Sequence, residues 1–230
     1  MLEDLKKEVF LANMELVKQN LVIYTWGNVS GIDREKKLIV IKPSGVSYDK
    51  MRVEDMVVVD LDGNVVEGKY RPSSDTLTHL ALYKEFKSIG AVVHTHSNYA
   101  VVWAQAQRSI PCYGTTHADY FYGLVPCTDK LSDKQIKEDY EYNTGYSIVK
   151  KFQDLKINPN TMPAVLVCNH GPFTWGDTAL KAVENSKVLE EVARCALQCE
   201  NINPNIKDID KELLDKHYLR KHGSSAYYGQ

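Results

Sequence analysis

No apolar run in this 230-residue chain approaches the roughly 20 residues that a membrane-spanning helix needs. The opening MLEDLKKEVFLANMELVKQN mixes charged and apolar residues and lacks the continuous apolar centre of a signal peptide. Neither charge sign is in surplus: 28 Lys and Arg against 30 Asp and Glu give a formal net charge of -2. Nothing global therefore attracts nucleic acid or an acidic membrane surface, and an anionic ligand would need local positive partners. Cysteine is sparse and odd in number: Cys112, Cys127, Cys168, Cys195 and Cys199 do not make a disulfide scaffold. Cys195 and Cys199, four residues apart, could face one another on a helix in a metal or redox role, but a pair of buried thiols is the preferred reading. These absences lead us to expect a protein of the reducing cytoplasm. Phosphate-cradling G-x-x-x-x-G-K, dinucleotide-binding G-x-G-x-x-G, internal repeats and low-complexity linkers are all missing too.

What the chain does have is ordinary globular material, 43% hydrophobic and 25% charged, enough for one domain spanning residues 1–230 with a real core. Leu2, Leu5, Val9, Leu16 and Val17 recur with the period of an amphipathic helix. LIVIKPSG reads as a strand running into a Pro-Gly turn, and MVVVDLDGNVVEG as a hairpin turning at Asp62-Gly63. Ser73, Ser74 and Asp75 look like a capped helix start, with the helix running through Phe86. AVVHTHS is expected to be a strand and YAVVWAQAQ a helix; YEYNTGYSIVKKF helical and PAVLVCNHG a buried strand. DTALKAVENSKVLEEVARCALQCEN reads as a long helix, and the stretch from Asp208 to Arg220 as a last helix before a polar, aromatic tail, 221–230. Strands alternate with helices, so the class is α/β; the hairpin demands antiparallel pairing, which argues against a purely parallel doubly wound sheet. The expected architecture is a central, mostly antiparallel β-sheet flanked by helices.

His94-Thr95-His96 carries the strongest chemical signal. On a strand, alternate side chains share a face, so both imidazoles would point one way at the exit of an apolar strand. In PAVLVCNHGPFTWG a second apolar strand runs into Asn169-His170-Gly171, where the turn can aim His170 into a site. Three imidazoles suit zinc, and less well manganese or cobalt. Asp75 is a candidate oxygen ligand, although a carboxylate there also answers the helix dipole. His79 shares Asp75's helix face but reads as a histidine packed at the edge of the core, and is left out of the ligand set.

Three small-residue segments, Trp26-Gly27-Asn28-Val29-Ser30, Lys42-Pro43-Ser44-Gly45 and Pro72-Ser73-Ser74, could each bring backbone N–H groups and hydroxyls to an oxyanion. Lys42 would add the local positive charge.

TWGNVS, IKPSGV, PSSDT, VHTHS, GTTHADYFYG, HGPFTWG and LLDKHYLRKHG…AYYGQ together resemble the class II aldolase/adducin family over essentially the whole chain, and within it the branch that epimerises phosphorylated ketopentoses. The resemblance implies that His94, His96 and His170 hold Zn2+ (Mn2+ or Co2+ as substitutes), with Asp75 on or beside the metal. It implies that Gly27, Asn28, Lys42, Ser44, Gly45, Ser73 and Ser74 bind the phosphate and hydroxyls of a phosphorylated ketopentose. Asp119 and Tyr228 would form the acid–base pair, with Thr115, Glu141 and His217 around the site. It further implies a homotetramer with active sites between subunits, His217 and Tyr228 coming from a neighbouring chain. The expected reaction breaks and remakes the bond between carbons 3 and 4, because the carbon-4 hydrogen is not acidic. A fuculose-phosphate type aldolase, which carries Glu in place of Asp75, is the alternative; a metal-free scaffold of the adducin kind is disfavoured by the three histidines. An arabinose and an ascorbate-type pathway both fit.

Overall fold

The computed structural model describes residues 2–228; the last two residues of the tail lie outside this range. Helix α1 (Glu3–Lys18) opens the chain, followed by strands β1 (Asn28–Asp33) and β2 (Leu38–Ile41). The expected hairpin follows as β3 (Val57–Asp60) and β4 (Val65–Glu67), then α2 (Thr76–Glu85), β5 (Ala91–His94) and α3 (Asn98–Gln105). Three helices come next, the short α4 (Thr115–Ala118), α5 (Asp133–Glu138) and α6 (Tyr140–Asp154). The chain closes with β6 (Ala164–Leu166), β7 (Pro172–Gly176), α7 (Ala179–Ile202) and α8 (Lys211–His222).

The seven strands form one sheet in the order β4-β3-β2-β1-β5-β7-β6, every pair antiparallel. Because side chains alternate along a strand, Ile39, Ile41, Val57, Val59 and Val92 enter the large core on one face. Their neighbours Val40, Val58, Ala91 and Val93 enter two smaller clusters on the other, shared with α1. A sheet buried on both faces reads in sequence as a continuous apolar run, which is what LIVI, VVVD and AVVH look like.

Four expectations are corrected. TWGNVS, a small-residue segment for which no strand was expected, is β1 from Asn28 onward, with Asn28, Val29, Ser30 and Gly31 all buried. PFTWG, expected to bend away after His170, returns as β7 beside β5. Val17 is 39% exposed and outside the buried stripe of α1, where Asn13 is buried instead, its amide bonded to the carbonyls of Val9 and Val29. The α7 thiols are not both buried: Cys195 is exposed and Cys199 half-buried.

Antiparallel alternation has a consequence for function. The start of β1, the ends of β2 and β5 and the start of β7 meet at one edge of the sheet, with Asn28 opposite His94 and His94 opposite Phe173. Lys42 follows β2 directly, and His170 lies two residues before β7. The 71–75 segment is tied to this edge by the Ser44 N–H to the Arg71 carbonyl (2.9 Å) and the Ser73 N–H to the Lys42 carbonyl (3.0 Å). Helix α6 is held over the same edge by α2: the Thr78 hydroxyl donates to the Glu141 carbonyl at 2.7 Å.

Candidate metal centre and anion pocket

The residues gathered at that edge line a cavity of about 480 Å³. Gly27, Asn28, Lys42, Ser44, Gly45, Ser73, Ser74, Asp75, His94, His96, Glu141 and His170, all expected, line it together with Thr25, Trp26, Pro43 and Tyr140. That volume suits a small molecule.

On its floor, ligand nitrogens of His94, His96 and His170 lie within 4.8 Å of one another. β5 ends at His94, so the strand-alternation argument for His96 does not apply, yet its ring still closes to 4.8 Å from the His94 ring. His94 Nε2 and His96 Nε2 are 3.0 Å apart. Two nitrogens on a tetrahedral zinc ion, each ~2.0–2.1 Å from it, would be about 3.3 Å apart, so the donor set fits such an ion with a small outward movement. His94 is locked by stacking on Phe173 (4.2 Å, 19°) and by Nδ1 against the Pro172 carbonyl (3.0 Å), which leaves Nε2 facing the cavity. His170 hangs in a tight turn after β6, where Asn169 takes a left-handed φ of 60°. That turn is fixed by the Asn169 N–H to the Ala104 carbonyl (2.9 Å) and the Val167 N–H to the Gly171 carbonyl (2.9 Å).

Burial pushes the His96 and His170 pKa values down, to about 4 and about 3, each helped by a neighbouring His94 charge. Both rings are therefore neutral near pH 7, the form that offers a lone pair to a cation. Asp75 lines the same cavity but stands outside the converging three; the Asn28 amide donates to its Oδ2 at 2.7 Å. Burial raises its pKa, but the His94 and His79 imidazoles and the Asn28 amide together hold the carboxyl below the ordinary range. His79 is fully buried, with Nδ1 2.7 Å from the Ser30 hydroxyl and Nε2 without a protein partner. It lies outside the ligand set, but within the core rather than at its edge.

The anion half of the cavity is built from turns. Gly27 has φ 78°, and a Cβ there would sit 2.7 Å from Val22 Cγ1 and 3.0 Å from the His94 carbonyl, so only glycine fits. Lys42 is buried, its ammonium bonded to the Val46 carbonyl at 3.0 Å and lying 4.9 Å from the Tyr48 ring. Burial lowers its pKa to about 8.

Thr115, Asp119, His217 and Tyr228 line no part of this cavity. They form a second group around α4 and α8. The Asp119 carboxylate is paired with His217 Nδ1 at 3.1 Å and with the Arg220 guanidinium at 3.0 Å. That guanidinium lies 4.4 Å from the Tyr228 ring, so Arg220 touches both residues expected to act as acid and base. Thr115 is one helical turn back, its carbonyl accepting from the Asp119 N–H at 2.9 Å. Arg220 and Tyr140 were not among the expected site residues. Tyr140 stands directly beside Glu141, and Arg220 lies one helical turn after His217, so adjacency was the available signal.

The sequence profile of the Class II Aldolase and Adducin N-terminal domain matches residues 7–197. The chain is 56% identical over 229 residues, covering 100% of both chains, to proteins named L-ribulose-5-phosphate 4-epimerase UlaF from Salmonella typhi and from Salmonella paratyphi A (strain ATCC 9150 / SARB42). Its structure resembles that of an L-fuculose 1-phosphate aldolase with a TM-score of 0.80 at 27% identity, covering 94% of this chain and 95% of the other. The L-fuculose 1-phosphate aldolase from Glaciozyma antarctica PI12 shares the fold, with a TM-score of 0.75 at 19% identity over 95% of this chain and 81% of that one. With the profile matching most of its length and with 56% identity to full-length relatives, the chain belongs to the class II aldolase and adducin family.

Proposed function

We propose that the protein is a zinc-dependent L-ribulose-5-phosphate 4-epimerase, interconverting L-ribulose 5-phosphate and D-xylulose 5-phosphate. The observation that carries this reading is a single cavity lined by three imidazoles, a lysine and the small-residue segments around Gly27, Ser44 and Ser74. Full-length 56% identity to proteins bearing the epimerase name supports it.

His94, His96 and His170 would hold the metal, with Asp75 beside it. Bound there, the cation would draw electrons from the carbon-2 ketone and offset the charge released as the bond between carbons 3 and 4 breaks. The remaining work belongs to the protein. Lys42, the hydroxyl groups of Ser44, Ser73 and Ser74 and the N–H groups of Gly45 and Ser74 anchor the phosphate, so the two-carbon aldehyde fragment turns without leaving. A base takes the proton of the carbon-4 hydroxyl as the bond breaks, its electron pair flowing towards the ketone. After rotation the bond re-forms on the opposite face of the aldehyde, and an acid protonates the new carbon-4 oxygen. Asp119 and Tyr228 are the proposed proton carriers, with Thr115, Glu141 and His217 as supporting contacts.

Because the group around Asp119 lies off its own chain's cavity, we propose that it completes a neighbour's cavity within a homotetramer. Exposed apolar side chains in the segments that carry rim residues, Ile23, Tyr24 and Tyr142, support an interface there.

The test is direct. Purified protein given L-ribulose 5-phosphate should form D-xylulose 5-phosphate, and His96→Asn should lose both the bound metal and the activity. Stoichiometric metal and normal turnover in His96→Asn would remove the site assignment. The similarity to L-fuculose 1-phosphate aldolase keeps one second reading, sugar-phosphate cleavage; release of free two- and three-carbon fragments in place of the epimer would establish it.

A further inference from the structure

His94 and His170 are fixed by different means. The Nδ1 of His94 meets a backbone carbonyl, which only accepts, so the proton sits on Nδ1 and Nε2 is bare. His170 stands outside the sheet in a turn, and its Nδ1 meets the hydroxyl of Tyr140 at 3.2 Å, the rings 6.0 Å apart and inclined at 37°. A hydroxyl can donate or accept, so this bond alone leaves the tautomer of His170 undecided.

The proton count decides it. With Nδ1 engaged by Tyr140, Nε2 is the nitrogen of His170 left for a cation. If it is to present a lone pair beside His94 and His96, the proton must lie on Nδ1, which then donates to the phenol oxygen. The phenol's own hydrogen is no longer directed at His170. Tyr140 lines the cavity next to Glu141, at the first turn of α6, so that hydrogen is free to face the space a ligand would fill.

We propose that Tyr140 is the positioning residue of the metal site: it sets the ring orientation and proton placement of His170, and in doing so presents its own O–H to the bound sugar. This rests on the reading that the three imidazoles hold a cation. Outer hydrogen-bond partners of ligating histidines typically change metal affinity 10- to 100-fold, about the effect expected here.

The probe is Co2+ titrated into the metal-free protein and followed by its visible absorption, with Zn2+ affinity measured against a chromophoric chelator. Tyr140→Phe removes one oxygen and keeps the ring, so the metal-free variant should melt as the parent does. Its metal affinity should fall by about 10- to 100-fold, and its cobalt spectrum should change shape. At saturating metal, KM for the ketopentose phosphate should rise several-fold. Cobalt and zinc binding indistinguishable from the parent, whatever the melting temperature does, would overturn the positioning role; an unchanged KM at saturating metal would overturn the contact with the sugar. A parent protein that binds no cobalt at all would defeat the metal reading itself, and this assignment with it.

Discussion

A buried lysine is the most exposed part of the proposed chemistry to experiment. Lys42 is buried among carbonyls and the Tyr48 ring, and burial lowers its pKa to about 8 in the ligand-free protein. A phosphate group prefers the charged form. The sign follows: affinity for a phosphosugar is full while Lys42 is protonated and falls as the pH rises through about 8. The fall continues at about tenfold per pH unit until the higher pKa of the complex is reached. Binding measured from about pH 7 to about pH 9.5 should show this decline, and Lys42→Met should abolish it. Losing a charged hydrogen bond of about 1.5–3 kcal/mol, the variant should bind the phosphosugar about 10- to 150-fold more weakly at neutral pH while retaining its metal. A Lys42→Met protein with parental affinity would show that the phosphate is anchored elsewhere. Residues such as Lys42, His94 and His170 were legible in the sequence because each sits in a motif at the edge of an apolar strand. Tyr140 was not, because one tyrosine in a helical stretch has no spacing that distinguishes it from a core or surface ring.

Elements carry those residues to one place, and the packing of α6 on α2 is the tightest link. A Cβ on Gly145 would lie 2.6 Å from Ala81 Cβ and 3.1 Å from the Thr78 backbone, so the glycine lets the two helices touch. Tyr140 and Glu141 sit at the α6 end that reaches the cavity. Gly145→Ala should therefore cost about 1–3 kcal/mol in overpacking, partly offset by about 1 kcal/mol of better helix propensity. Urea unfolding should show the net loss, and KM should rise as the end of α6 shifts. Adding Ala81→Gly returns the space and should restore KM; failure to restore it would mean that α6 is positioned by something other than this contact. Helix α1 was readable from its apolar period and α2 from its Ser-Ser-Asp start, and the strands LIVI, VVVD and AVVH from their apolar runs. β1 and β7 were hidden by composition: NVSGID and PFTWG contain the Gly, Asn and Pro that usually mark turns, and pairing with β5 on one side and with β2 or β6 on the other makes them strands. The pairing with β5 is long-range, which no local window of sequence contains. In contrast, α5 carries a local signal in the Ser132 and Gln135 capping box, but its polar stretch has no apolar stripe to mark it as a helix.

At the scale of the whole molecule, the expected site residues divide into two groups that one chain does not bring together. The cavity holds the imidazoles and the phosphate turns, whereas Asp119, His217 and Tyr228 converge around Arg220 elsewhere on the surface. Cross-chain completion makes a quantitative demand on mixed assemblies. Tyr228→Phe should keep the fold, the metal and the oligomer, since the ring still stacks on Arg220, yet lose epimerisation in at least one direction. His96→Asn should lose the metal while retaining an intact tail. Neither homo-oligomer should turn over substrate. Co-assembled, some interfaces would pair the intact cavity of a Tyr228→Phe chain with the intact tail of a His96→Asn chain, and activity should return in proportion to their number. If subunits mix at random in equal amounts, about a quarter of the sites, (1/2)², inherit both intact halves, so recovery should approach that fraction of the parental rate. Hybrids verified by mass spectrometry that recover nothing would place Tyr228 in its own subunit's site, and a fully active Tyr228→Phe homo-oligomer would remove the tail from the chemistry altogether.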